Sequence, residues 1–180
     1  MDAPLLIYLG SGGHTTEMML LLAEVDDMVS SKIPVVFTCS DDRSERMAKE
    51  WISKKRVGTS SSVYQIYRAR AVKQSYITSV LTSLLSFFHC LYVVLFHVGN
   101  PRLLFINGPG TSLILMIAVR AVNFLFLSLT PVVYAESVCR VNKWSLTGKL
   151  VGLGGWVKRC KMWKGLEGGE SIEGVLFNNT

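Results

Sequence analysis

Between Lys73 and Glu136 the chain carries two charged side chains, Arg102 and Arg120, whereas residues 1–73 carry ten basic and nine acidic ones. So long a stretch of near neutrality permits two architectures: segments that cross a bilayer, or helices and strands buried against one another around a sheet. Within it, Ser75 to Val98 is uncharged and as a helix reaches about 35 Å at 1.5 Å per residue, enough to cross a bilayer core. Ser75, Ser79, Thr82, Ser83, Ser86 and Cys90 recur near helical spacing and form a stripe of small residues. Ile77, Leu81, Leu84, Leu85, Phe88, Tyr92, Leu95 and Phe96 take the remaining surface. This pattern predicts a helix whose small face packs on a sheet and whose bulky face meets lipid or a partner.

The flanking segments bear on the choice. Leu5 to Leu9 reads as a short buried strand, followed by the turn Gly10-Ser11-Gly12-Gly13-His14-Thr15 and a helix capped by Thr15 or Thr16 that runs to about Val25. Ile33 to Thr38 is a second strand, and Ser40-Asp41-Asp42 caps a charged helix reaching about Arg56. Val63 to Tyr67 alternates as a third strand. After the breaker Gly99-Asn100-Pro101 come a strand at Leu103 to Ile106, the turn Asn107-Gly108-Pro109-Gly110, and a helix from Thr111 to about Leu127. Pro131 to Ala135 is the next strand, and a helix begins at Ser145 and reaches Leu150.

Strands separated by helix-length segments predict an α/β fold: a Rossmann-like parallel sheet with helices on both faces and one membrane-associated apolar helix. If Ser75 to Val98 crossed the bilayer, the strands before and after it would lie on opposite sides, so one sheet excludes one span. The competing reading is a small multi-span membrane protein, in which Ser75 to Val98 and Thr111 to Leu129 cross and the glycine turns are only turns. Arg120 weighs against it, because an arginine at the centre of a bilayer helix costs roughly 2.5 to 3.5 kcal/mol. The expected domain covers residues 1–150. Glycines at 152, 154, 155, 165, 168 and 169, with the polar end Asn178-Asn179-Thr180, predict a poorly ordered tail over residues 151–180.

In such a sheet every loop after a strand lies on the carboxyl edge, where ligands bind. The loops at 10–14, 38–42, 68–70, 107–110 and 136–140 are expected to share that rim. Glycines in the first loop let a ligand approach the backbone, and the free amides of the following helix suit a phosphate. Neither the G-x-G-x-x-G spacing nor a Gly-Lys-Ser/Thr triplet is present. Glu17, in the first part of that helix, would repel an anion, so its side chain is expected to face away. His14 is a candidate base for a sugar hydroxyl, with no evident carboxylate partner in sequence; packing against the turn or bonding it is its other reading. Glu136 either fixes a hydroxyl or acts as a base, or else caps the next helix or pairs with Arg140. Arg68, Arg70 and Lys73 suit a diphosphate or are ordinary surface charges. Asn107 turns the chain, and Ser11 lacks a nucleophile-elbow context.

The net charge is +6, and Arg140, Lys143, Lys149, Lys158, Arg159, Lys161 and Lys164 follow one another without an acid between Glu136 and Glu167. Basic clusters beside apolar helices attract anionic lipid head groups by roughly 1 kcal/mol each; they also attract phosphorylated substrates or form a solvated face. No nucleic-acid motif or stacking pattern is present. Cys39, Cys90, Cys139 and Cys160 lack C-x-x-C spacing and fit a reduced compartment, and three scattered histidines argue against a zinc site. No metal or cofactor is expected. Met1 to Pro4 contains an acid and the apolar run after it is short, so no cleavable signal is read and the loops are expected to face the cytosol.

Four stretches then carry a resemblance. Gly10-Ser11-Gly12-Gly13-His14-Thr15-Thr16-Glu17-Met18, Arg68-Ala69-Arg70-Ala71-Val72-Lys73-Gln74-Ser75-Tyr76, Asn107-Gly108-Pro109-Gly110-Thr111 and Glu136-Ser137-Val138-Cys139-Arg140-Val141, continuing into Ser145-Leu146-Thr147-Gly148-Lys149, resemble the membrane subunit of the eukaryotic two-chain UDP-N-acetylglucosamine transferase of asparagine-linked glycosylation. The match covers residues 4–150. It implies the amino-terminal half of a GT-B glycosyltransferase, with a soluble catalytic chain supplying the other half and most of the nucleotide-sugar site. Together such a pair transfers the second N-acetylglucosamine from UDP-GlcNAc to dolichol-diphosphate-GlcNAc at the cytosolic face of the endoplasmic reticulum, a membrane continuous with the outer nuclear membrane. The membrane subunit recruits its partner, helps bind the acceptor and is inactive alone.

The resemblance implies that Ser11, Gly12, Gly13, His14 and Thr15 face the acceptor. Arg68, Arg70, Asn107, Gly108, Pro109, Gly110 and Glu136 would line the cleft, and His14 and Glu136 are the candidate catalytic groups. The family carries an apolar anchor ahead of the first strand; here the strand begins at Leu5, so membrane contact is expected from the long helix, the Arg120 helix or another anchored protein. After Ser145 to Lys149 the family continues with a helix, a strand and a partner-docking tail, from which residues 151–180 diverge.

Overall fold

Strands that read as near-continuous apolar runs need cover on both faces, and this chain provides it. The computed structural model describes residues 3–24, 33–55, 61–70, 74–108, 110–140, 143–153 and 157–161. Its strands are β1 (Leu5–Leu9), β2 (Val35–Cys39), β3 (Ser62–Gln65), β4 (Leu103–Asn107), β5 (Val132–Glu136) and β6 (Val157–Lys161). Its helices are α1 (Gly13–Glu24), α2 (Asp42–Lys55), α3 (Tyr76–Val93), α4 (Gly110–Leu125) and α5 (Leu146–Gly152), with a π-helical turn at Val94–Val98. All six strands pair in parallel in the order β3-β2-β1-β4-β5-β6, with Leu5 opposite Val35 on one side and Leu103 on the other. The fold is Rossmann-like α/β.

Side-chain alternation divides the core. Leu6, Tyr8, Leu104, Ile106, Val132 and Tyr134 pack toward α3, α4 and α5. Ile7, Leu9, Phe37, Phe105, Val133 and Ala135 pack toward α1 and α2. Each fully buried large side chain contributes about 1.5–3 kcal/mol of transfer free energy.

α3 and α4 start within one residue of expectation, at Tyr76 and Gly110, and the larger departure is at α1. α1 begins at Gly13, so Thr15 lies inside the helix; its hydroxyl bonds Gly10 O and lies 2.6 Å from Ser44 Oγ, tying α1 to α2 instead of capping. α2 is capped as expected, by Asp41: Oδ1 accepts from Ser44 N at 3.0 Å and Oδ2 from Ser44 Oγ at 2.8 Å. The expected helix ends at Val25 and Arg56 lie outside the described residues.

The small stripe of α3 is buried at Ser86 and Cys90, and its hydroxyls do more than allow close packing. Ser86 Oγ donates to Tyr67 O at 2.6 Å, Thr82 Oγ1 to Ala69 O at 2.7 Å and Ser83 Oγ to Ala69 O at 3.2 Å. They satisfy the carbonyls of the loop after β3. The opposite face leaves Val80, Leu81, Leu84, Leu85, Phe88, Tyr92 and Phe96 exposed, while Leu95, expected there, packs against the core. Gly99 ends the segment at φ +74°, donating to Val94 O at 2.8 Å.

Because β3 precedes α3 and β4 follows it within one sheet, α3 does not cross a bilayer, and the multi-span reading fails. Arg120 sits half-buried in the crossover helix α4. Beyond it, α5 is capped by Ser145, whose Oγ accepts from Gly148 N at 3.0 Å. The expected boundary at residue 150 falls inside α5, and β6 carries the sheet on to Lys161. Residues 162–180 of the expected tail lie outside the described residues.

Candidate functional site

Parallel strands place the turns after β1, β4 and β5 side by side, and hydrogen bonds join them. Asn107, at the end of β4, is fully buried and its Nδ2 donates to His14 O at 2.7 Å. Gly108 follows at φ +74°, and a Cβ there would lie 2.7 Å from His14 Cγ. Both the backbone angle and the missing side chain are required, so the imidazole occupies the space that glycine leaves. Gly12, at φ +70°, makes the corresponding turn before α1.

His14 Nδ1 lies 3.0 Å from Glu17 Oε2, three residues along the same helix. Glu17 Oε1 accepts from Ser137 Oγ at 2.7 Å and from Val138 N at 3.2 Å. The carboxylate expected to face away therefore faces the site. His14 gains the partner that its sequence neighbourhood did not reveal, and the β5 loop is fastened to α1.

Glu136 is 2% exposed. Its Oε2 accepts from Ser145 N at 2.7 Å, and its Oε1 accepts from Tyr134 OH at 3.4 Å. A Cβ at Gly148 would come within 2.6 Å of Oε2. Of its expected roles, the geometry realises support of the following helix: the carboxylate holds the N-terminal end of α5. Burial, with the Glu136 carboxylate adding to it, pushes the Tyr134 phenol up to about 12.

A cavity of about 490 Å³ opens over these groups. Ser11, Gly13, His14 and Glu17 form one wall, Gly108 part of the floor, and Glu136, Ser137, Cys139, Arg140, Ser145 and Thr147 the other wall. Cys139 and Arg140 are exposed at the mouth. Such a pocket can hold a polar, anionic ligand against Arg140 and the glycine backbone, and can take a proton at the imidazole.

Not every expected residue meets there. Thr15 and Asn107 lie beneath the site as supports. Arg68 and Arg70 belong to the loop after β3, and neither lines the cavity; Arg70 Nη2 and Nε donate to Gln74 O at 2.9 and 3.2 Å. Gly12 and Gly110 flank the turns without lining it. Lys73 and Pro109 lie outside the described residues. Ser137, Arg140, Ser145 and Thr147 were not among the expected site residues, although all four stand inside the quoted motifs; for Glu17 the available signal was its three-residue spacing from His14.

The profile of the family described as "Oligosaccharide biosynthesis protein Alg14 like" matches residues 5–155. The chain is 38% identical over 150 residues to the UDP-N-acetylglucosamine transferase subunit ALG14 of Candida albicans, covering 83% of this chain and 66% of that one. To the subunit of the same name from Saccharomyces cerevisiae it is 35% identical, covering 81% and 63%. To that from Rattus norvegicus it is 33% identical, covering 82% and 69%. The chain thus spans about two thirds of the length of these curated relatives. No solved structure matches it. With the glycine turns, His14 and the Glu136 segment all inside the matched range, the chain belongs to the Alg14 family.

Proposed function

We propose that this chain is the membrane subunit, inactive by itself, of a two-chain UDP-N-acetylglucosamine transferase. It recruits a soluble catalytic partner, which carries the other GT-B half, to the cytosolic face of the endoplasmic reticulum. Joined to that partner, it helps bind dolichol-diphosphate-GlcNAc, so that the complex adds the second N-acetylglucosamine from UDP-GlcNAc. The observation that carries this reading is the meeting of both glycine turns at His14, through Asn107 and Gly108, beside a polar cavity on the carboxyl edge. The names of the relatives support a subunit role.

Within this reading the cavity receives the acceptor's diphosphate and sugar. The Ser11 to His14 turn and Arg140 face the anion, with Arg68 and Arg70 along the rim. His14 is the candidate base for the attacking hydroxyl, and Glu136 holds the opposite wall. The acceptor-side unit comprises residues 1–150 extended by the rest of α5 and by β6, its outermost strand, with residues 162–180 a divergent continuation.

Membrane contact is assigned to the outer face of α3. Thr78–Val98 is long and apolar enough to cross a bilayer by length and composition, yet it is bound into one sheet. An interfacial position satisfies both facts. The last residues of α4, Phe124 and Leu125, and the turn after it, with Phe126, Leu127 and Leu129, add to this face; all five are exposed, Leu127 at 93%.

The test is to purify the full chain with and without its soluble partner and assay sugar transfer from UDP-GlcNAc to a short dolichol-diphosphate-GlcNAc analogue. Transfer is expected from the complex and not from this chain alone. Turnover by the isolated chain would refute the subunit assignment.

A further inference from the structure

Glu17 has two separate sets of partners, and together they give it a task. One carboxylate oxygen, Oε2, meets His14 Nδ1 at 3.0 Å; the other, Oε1, is held by Ser137 Oγ and the Val138 N–H at 2.7 and 3.2 Å. An ionised carboxylate only accepts hydrogen bonds, so the imidazole must carry its proton on Nδ1. That leaves Nε2 as the basic nitrogen. His14 is 32% exposed and lines the cavity, and no hydrogen bond among the described residues engages Nε2.

We propose that Glu17 is a positioning residue that fixes the tautomer and orientation of His14, so that Nε2 takes the proton of the acceptor hydroxyl. This rests on the transferase reading above. The step is balanced: the hydroxyl O–H breaks and its proton passes to Nε2, while the oxygen bonds to the anomeric carbon of the donor sugar. The bond from that carbon to the nucleotide diphosphate breaks, and the diphosphate leaves with the electron pair. The imidazolium formed is stabilised by Glu17, which stays ionised. Other titratable groups at the cavity are Glu136, Cys139 and Arg140. Glu136 is already bonded to Ser145 N, which leaves the carboxylate of Glu17 as the one directed at the imidazole.

Glu17→Gln separates this task from scaffolding. The amide oxygen still accepts from Ser137 and Val138, but the amide nitrogen can only donate toward Nδ1 and therefore selects the opposite tautomer. In the complex of the full chain with its soluble partner, Glu17→Gln is expected to lower kcat by about 100-fold with KM for the acceptor unchanged. Glu17→Asp is expected to recover part of the rate. Nitrogen NMR of the histidine-labelled full chain should find the Nδ1–H tautomer of His14 in the wild type and the Nε2–H tautomer in Glu17→Gln. A loss in kcat below about tenfold, or an Nε2–H tautomer in the wild type, overturns the proposal. A wild-type complex without transfer overturns the transferase reading instead, and the NMR measurement then decides the tautomer by itself.

Discussion

Gly108 and His14 share one volume: the Cβ that any other residue would place at 108 lies 2.7 and 2.8 Å from two ring carbons of the histidine. The two residues come from different turns, and the Asn107 side chain fixes the backbone of one against the other. Gly108→Ala combines a left-handed backbone angle with a steric overlap, at a cost of about 1–3 kcal/mol. Thermal unfolding should show a melting point lower by roughly 2–4 °C per kcal/mol lost. Transfer by the complex should fall further than stability alone explains, since the ring is displaced. An unchanged melting point would show that the histidine moves aside freely.

Glu136 separates two roles by its substitutions. Glu136→Gln retains an oxygen for the Ser145 N–H, whereas Glu136→Ala strands that buried donor at a cost of about 1–3 kcal/mol. Urea unfolding should therefore show clear destabilisation for the alanine variant and little for the glutamine one. Transfer by the Glu136→Gln complex should stay near the wild-type level. A loss of about 100-fold or more with the fold intact would make Glu136 a catalytic residue.

Alkaline unfolding has a defined window. The Tyr134 phenol, pushed up to about 12 mainly by burial, and the buried thiols of Cys39 and Cys90, each pushed up to about 12 by the same cause, resist ionising in the folded chain. Their ordinary values are 10.0 for the phenol and 9.0 for the thiols. The unfolded chain loses these protons first, so the folded state binds more protons there and stability falls with rising pH. Denaturant midpoints should hold up to about pH 9, then decline until about pH 12. Tyr134→Phe should flatten the upper part of the decline, and Cys90→Ala the lower part.

The outer face of α3 is testable without disturbing the core, because Leu84, Leu85 and Phe88 are exposed. Leu84→Glu with Leu85→Glu should leave the melting point near wild type and weaken flotation with phosphatidylcholine vesicles containing an anionic lipid. Each removed apolar contact contributes about 1.5–3 kcal/mol when fully buried, so the pair should reduce partitioning by at least tenfold. Equal flotation of variant and wild type would assign membrane contact elsewhere.

The alternation of strands and helices was legible because each period has its own physical cause, and the expected strand centres fall within β1 to β5. The shared rim followed from parallel order alone. Thr15 was misread as a cap because a threonine after glycines carries the capping signal, while its actual partners, Gly10 O and Ser44, depend on how two helices meet. Glu17 was misread for a related reason: the sign of a helix dipole is local, but Ser137 and Val138 reach it from 120 and 121 residues away. β6 was missed where glycines flank a strand of basic composition. Its parallel pairing with β5 supplies the order that local sequence does not.

The hydroxyl stripe of α3 has one further consequence. Thr82, Ser83 and Ser86 are keyed to carbonyls of the loop that follows β3, so rolling the helix about its own axis would break three hydrogen bonds. A force on its apolar side therefore also bears on the carbonyls of Tyr67 and Ala69. An anchor on Leu84 and Phe88 is thus joined, through α3, to the two residues that flank Arg68.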